Sequence, residues 1–301
     1  MRVFVLLIVA SGVTSLLAVE TKTVPGVAIL KDLGAQVDEL NGAIAKISFK
    51  NCSRLTDAEF QLIGQQPELK SLVLYGQCKG LNDQTLGRLG HLKNLEELAT
   101  DGMQVSDQGL EHLTALIKLR SLSLFHPSFG MKGFDGSGFA ALKVMPALQQ
   151  LTIAGTPFDD RGMAAIAEIK QLRDFRTWHT YQTQAGNSAL LKLPNLRSLW
   201  LGQRLRRYDG GSNAPSLTDA TFDVLTQLKS LESLTLDEAR LSKSSLQRLQ
   251  ALPQLKKLEL RRIEIVGADA ESVSELLPGV KIDWKPLTAE EQLKLSDFLK
   301  D

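Results

Sequence analysis

At 301 residues, 43% hydrophobic and 23% charged, the chain has an ordinary globular make-up and is long enough for a sizeable core. Leucine is abundant and only 6% of the residues are aromatic, so that core is aliphatic. A formal charge of +1 offers no global field to a phosphate backbone or an anionic membrane, which argues against nucleic acid as the partner.

The chain opens on Met1-Arg2, an unbroken apolar run from Val3 to Ala10, and a small-residue stretch ending in Leu16-Leu17-Ala18. Residues 1–18 read as a secretory signal peptide. The competing reading, a retained anchor from Val3 to Val19, is only 17 residues long and broken by Ser11, Gly12, Thr14 and Ser15. No later segment is apolar enough to span a bilayer, so a secreted, periplasmic or cell-envelope location is expected. Residues 19–43 are expected to form an N-terminal capping helix. Its apolar side would be Val27, Leu30, Leu33, Val37 and Leu40, with Asn41-Gly42 turning the chain into a first strand.

From residue 44 to 284 one phrase returns, L-x-x-L-x-L. Clear copies start at Leu69, Leu119, Leu148, Leu196, Leu231 and Leu255, and weaker ones at Ile44, Leu95, Leu172 and Leu277. Successive starts lie 25, 26, 24, 29, 24, 24, 35, 24 and 22 residues apart. Alternation at the end of each copy predicts a strand. Upstream, apolar residues recur every third position, as in Leu110, Leu113, Leu116 and in Phe222, Leu225, Leu228, which predicts a helix with one buried stripe. Leu55-Thr56-Asp57, Val105-Ser106-Asp107, Phe158-Asp159-Asp160 and Leu217-Thr218-Asp219 put a hydroxyl or carboxylate at the helix starts, where free N–H groups need acceptors. A single unit cannot bury its own apolar face, whereas a stack of about ten can. Copy six breaks the pattern, with Thr177 and Asn187 at positions expected to be apolar. Residues 285–301 are expected to cap the last coil: Pro286 ends the strand, Thr288-Ala-Glu-Glu291 is a capping box, and Leu293, Leu295, Phe298 and Leu299 follow.

This pattern resembles the leucine-rich-repeat superfamily. Cys52-Ser-Arg-Leu55-Thr56-Asp57 and Cys78-Lys-Gly-Leu81-Asn82-Asp83 are similar to the phrase of its cysteine-containing, ribonuclease-inhibitor-like class, in the style of exported planctomycete-type bacterial proteins. The resemblance implies a right-handed α/β solenoid, a curved horseshoe with a parallel sheet on the concave side and helices on the convex side. It implies a binding role without naming the ligand.

In such a coil the residues between and after the apolar strand positions face away from the core. They are Tyr75, Phe125, Arg176, Trp178, Trp200 and Asp237, with His126 and His179 following directly. Rings beside arginine are typical interface anchors, and the bland alternative is that they pack on one another. Two long connections, His126 to Ser137 and Gln203 to Ser216, leave the same rim beside these residues; the second carries Arg204, Arg206, Arg207 and Tyr208. A protein partner is the leading expectation; a carbohydrate ligand and a structural cell-envelope role are the alternatives. Cys52 and Cys78 hold equivalent places in neighbouring coils and form either a disulfide or two buried thiols. Gly130, Gly133, Gly136 and Gly138 are expected to be turn residues, since no Gly-Lys-Ser/Thr ending follows them. Asp159-Asp160 reads as a helix cap, and no acid–base constellation, metal-ligand set or cofactor motif is apparent, so no enzymatic activity is expected.

Overall fold

The computed structural model describes residues 26–205 and 214–300. The leader expected at 1–18 and Arg206, Arg207 and Tyr208 lie outside these residues. The chain forms one sheet of eleven strands in sequence order. They are β1 (Gln36–Leu40), β2 (Ala43–Phe49), β3 (Ser71–Leu74), β4 (Glu97–Asp101), β5 (Ser121–Phe125), β6 (Gln150–Ala154), β7 (Asp174–Trp178), β8 (Ser198–Gly202), β9 (Ser233–Leu241), β10 (Lys257–Ile265) and β11 (Lys281–Asp283). From β2 onward every neighbouring pair is parallel, and each copy of the repeat phrase carries one strand. A leucine-rich-repeat solenoid results. Its core is the continuous stack of apolar strand positions: Leu72, Leu122, Phe175, Leu199, Leu234 and Leu258 are all at most 1% exposed. Among the described residues no helix is long and apolar enough to cross a membrane.

The structure corrects three expectations about elements. The N-terminal cap is a helix only over Val27–Asp32; Gly34, at φ 98°, turns the chain, and β1 then pairs antiparallel with β2. An edge strand leaves a row of unpaired N–H and C=O groups, and a hairpin satisfies that row where a helix would not. Several predicted helices are 3-10 segments, among them Gly109–Ala115, Ser137–Val144 and Gly186–Lys192. A strict spacing of three matches 3.0 residues per turn better than 3.6. Finally, the C-terminal helix (Ala289–Phe298), capped by Thr288 and Glu291 as expected, buries only Leu295 and leaves Leu293 68% exposed. Instead of shielding the last coil it runs back along the sheet: Ser296 Oγ accepts from Arg240 Nη2 at 3.0 Å, and Phe298 lies against His179, ring centroids 5.7 Å apart.

The helix-start aspartates do more than cap. Asp83 accepts from the N–H and hydroxyl of Ser106 in the next coil at 2.8 and 2.7 Å. Asp107 accepts from the N–H groups of Asp135 and Gly138, Asp160 from the N–H and hydroxyl of Thr183, and Asp219 from the N–H of Ser242. Each carboxylate thus bonds its coil to the following one. The following coil supplies a glycine where the carboxylate sits: a Cβ on Gly109 would stand 1.8 Å from Asp83 Oδ1, and one on Gly186 2.1 Å from Asp160 Oδ1. Asp160→Ala strands two donors that had a charged acceptor, and urea titration is expected to show a loss of about 2–3 kcal/mol. Asp160→Asn should lose less than half of that.

Copy six keeps its regularity despite its polar residues. Thr177 and Thr180 donate to Gln182 Oε1, Gln182 Nε2 donates to Asn187 Oδ1, and Asn187 Nδ2 donates to the carbonyl of Ser216 at 2.7 Å. Burial is tolerated because each of these groups has a partner.

Candidate functional site: an aromatic ridge and its terminal cavity

The sheet register places Asp101, Phe125, Ala154 and Trp178 in one row across β4 to β7, and Gly202, Asp237 and Arg261 in a row across β8 to β10. Tyr75 stands just after β3, with its ring 6.0 Å from Phe125 and edge-on to it. Phe125 lies 6.1 Å from Trp178 across β6, where the row holds only the methyl group of Ala154. Trp178 stacks on Trp200 at 4.5 Å and 19°, and the guanidinium of Arg261 covers Trp200 at 4.3 Å from the ring centre. Gly202 is what admits this stack: a Cβ there would meet Trp178 Cβ at 2.5 Å. The rings therefore pack on one another, as the bland alternative has it. Yet none of the four is fully buried, and Tyr75 is 40% exposed. Only the two indoles stack face to face; Tyr75 and Phe125 meet at a steep angle.

The residue after most of these positions takes a left-handed backbone, past the strand end in the earlier coils and within β9 and β10 in the later ones. Gly76, Gly102 and Gly155 adopt positive φ there, and so do His126 (48°), His179 (53°), Glu238 (61°) and Arg262 (47°). A non-glycine residue in this region carries strain of about 1 kcal/mol or more. The side chains kept there make a second line beside the ridge. His126 Nδ1 lies 2.8 Å from Asp101 Oδ1, with Gly155 leaving room for its ring. His179 Nε2 lies 2.6 Å from Glu238 Oε2, and Arg262 pairs with Glu238 at 3.2 Å and with Asp237 at 2.8 Å. Asp237 lies on the outward side, as its place in the repeat predicts, in the same face as Trp178, but it is covered there. It is 1% exposed, its carboxyl is pushed above the ordinary carboxylate range by burial, and Arg262 opposes that rise. Its role is to hold Arg262. Arg176 is exposed and forked onto Asp174 at 2.7 and 3.0 Å.

Past Arg261 the ridge ends in a cavity of about 530 Å³. Its walls include Trp178, Trp200 and Trp284, all the tryptophans of the chain, and Leu287 and Glu291 at the root of the C-terminal helix. Trp284 is fixed by its indole N–H, which donates to the carbonyl of Ile263 at 2.9 Å. Sequence reasoning missed Arg261, Glu259 and Trp284. Arg261 was within reach, because it occupies in copy nine the place that Phe125 and Trp178 occupy in copies four and six. The cavity was not, because it depends on where the C-terminal segment folds.

Cys52 and Cys78 are both buried and free. Cys52 Sγ donates to the carbonyl of Tyr75 at 2.9 Å, and the Cys52 thiol together with burial holds the Cys78 thiol firmly protonated. Gly130, Gly133 and Gly136 are turn residues at φ 83°, 84° and 87°. Among the described residues no cluster of His, Cys, Asp or Glu is arranged to hold a metal ion.

Neither a scan of protein-family models nor a search of curated proteins finds a match for this chain. Solved structures of low identity follow a similar course. One is the plant peptide hormone receptor RGFR1 in complex with RGF2, at 16% identity and TM-score 0.43, covering 75% of this chain and 33% of the receptor chain. Another is an internalin (inlF) from Listeria monocytogenes, at 16% identity and TM-score 0.35, covering 87% of this chain and 93% of that one. The present chain thus spans about a third of the receptor it resembles.

Proposed function

We propose that this chain is an exported protein-binding scaffold of the cysteine-containing repeat class, and that it grips its partner along the sheet face of the middle coils. The observation that carries the reading is the ridge from Tyr75 through Phe125 and Trp178 to Trp200 and Arg261: partly exposed aromatic groups fixed against one another before any partner arrives. Anchors that are already ordered lose little entropy on binding, which is how a few residues come to dominate an interface. The covering of Trp200 favours a protein over a glycan, because a sugar ring stacks on an open indole face and that indole is already taken by Trp178 and Arg261. Export rests on the leader at residues 1–18.

The experiment is cross-linking in the native cells, identification of the captured protein, and measurement of its affinity for variants. Phe125→Ala and Trp178→Ala are each expected to weaken capture by about 2 kcal/mol, roughly 30-fold, with the melting temperature lowered but the fold intact. Full affinity in both variants, or saturable retention of a purified glycan in place of any protein, would remove the reading.

A further inference from the structure

The cavity at the end of the ridge has a chemistry of its own. Four carboxylates border it, but three are spent. Asp237 is taken by Arg262, Glu259 is bridged by Lys257 and Arg261, and Glu291 accepts from the N–H and hydroxyl of Thr288. The donors are not spent. Arg261 donates only through Nε, and Arg262 through Nε and Nη2, so the Nη1 and Nη2 groups of the first and Nη1 of the second lack acceptors among the described residues. Lys285 makes no hydrogen bond or close ion pair among the described residues, its charge acting only at longer range on Glu291, and the indole N–H of Trp200 is buried without an acceptor. Against this surplus stands a single unpartnered carboxylate, Asp283, set between Lys281 and Lys285 in the sequence. The remaining wall is apolar, made by the tryptophans, Leu260 and Leu287. With charges nearly balanced, selection rests on hydrogen-bonding capacity and not on net field. What is missing is an acceptor attached to an apolar body.

We infer that this cavity is the anchor pocket for an apolar side chain adjoining an Asp or Glu side chain in the bound protein, the carboxylate being received by Arg261 and Lys285. The volume, about 530 Å³, exceeds that of one side chain and lies in the range of specific ligand pockets. An ionised acceptor facing guanidinium and ammonium donors makes stronger bonds than its neutral isostere. The inference rests on the protein-binding reading above and adds the partner's local chemistry to it.

The chain carries its own reporter, since every tryptophan lines this cavity and intrinsic emission senses little else. The full chain is titrated with three dipeptides blocked at both ends: acetyl-Phe-Glu-amide, acetyl-Phe-Gln-amide and acetyl-Phe-Lys-amide. The Glu peptide is expected to change tryptophan emission saturably and to bind about tenfold more tightly than the Gln peptide. The Lys peptide should bind more weakly still. Lys285→Gln, an exposed change that breaks no bond in the fold, is expected to remove at least about half of the Glu preference, and Arg261→Gln with Lys285→Gln to abolish it. No saturable change with the Glu peptide, equal binding of all three, or a preference untouched by Lys285→Gln overturns the inference. Partner capture and its loss in Phe125→Ala are read separately. If capture depends on Phe125 while no dipeptide discriminates, the pocket assignment fails alone; if capture is indifferent to Phe125 as well, the scaffold reading fails with it.

Discussion

Gly138→Ala is expected to destabilise the protein by about 3 kcal/mol, the larger of two glycine effects that separate steric from conformational cost. A Cβ on Gly138 would stand 1.9 Å from the carbonyl oxygen of Asp107 and 2.5 Å from its carbon. Both atoms are backbone of the preceding coil and have no rotamer to escape into. The same insertion disturbs the bond from Gly138 N–H to Asp107 Oδ1, now 2.8 Å. Either the coils separate by about an ångström, losing close packing between them, or the aspartate staple breaks. Gly130 is the control. Its φ of 83° penalises alanine, but a Cβ added there would meet no atom within 4 Å, so about 1 kcal/mol is expected. Urea titration of both variants decides the point. In a solenoid each coil contacts only its neighbours, so amide exchange should rise first in β5 and β6. A Gly138→Ala variant no weaker than Gly130→Ala would mean that the stacking distance is not set by backbone contact.

Asn187→Ala is expected to cost a similar amount, about 3 kcal/mol, for a different reason. The side chain is fully buried and bonded on both sides, accepting from Gln182 Nε2 at 3.2 Å and donating to the carbonyl of Ser216 at 2.7 Å. Truncation leaves the Gln182 amide without a partner, leaves the Ser216 carbonyl with only the long bond from the Thr221 hydroxyl at 3.4 Å, and opens a small void, an orphaned group costing roughly 1–3 kcal/mol. The combination Thr177→Val, Thr180→Val, Gln182→Leu, Asn187→Leu removes the interacting side-chain groups together and should recover at least about half of the loss. Thermal and urea unfolding of the two variants side by side give the answer. Equal losses in both would show that shape, and not hydrogen bonding, holds this coil.

These two cases show where sequence reasoning reaches and where it stops. The strands are legible because alternation in a repeated phrase leaves one face to bury, and every copy, including the irregular sixth, is a strand. The helices are legible as elements but not as type: a spacing of three fits a 3-10 turn, and an eye trained on α-helices reads it as 3.6. Thr177 and Asn187 look like defects in the sequence because their partners, Gln182 and Ser216, are meaningful only once the coil closes. Asp160 reads correctly as a helix-start residue, while its bonds to Thr183 in the next coil require knowing the offset between coils.

The same division runs through the site. Tyr75, Phe125, Trp178 and Trp200 follow from position within the repeat, and the sheet does bring them into a single ridge. Asp237 follows from the same rule but is covered, and Arg262 from the neighbouring strand bonds both of its carboxylate oxygens.

The amino-acid order alone determined the repeating unit, the parallel sheet and the outward row of rings, since all three follow from local periodicity and from the need of each coil to bury one face. Only the tertiary structure decided that the C-terminal helix returns along the sheet toward His179, that Trp284 joins Trp178 and Trp200 around one cavity, and that Arg261 covers Trp200. Contacts between residues tens to more than a hundred positions apart depend on the summed offset of every coil between them, and no local pattern encodes that sum.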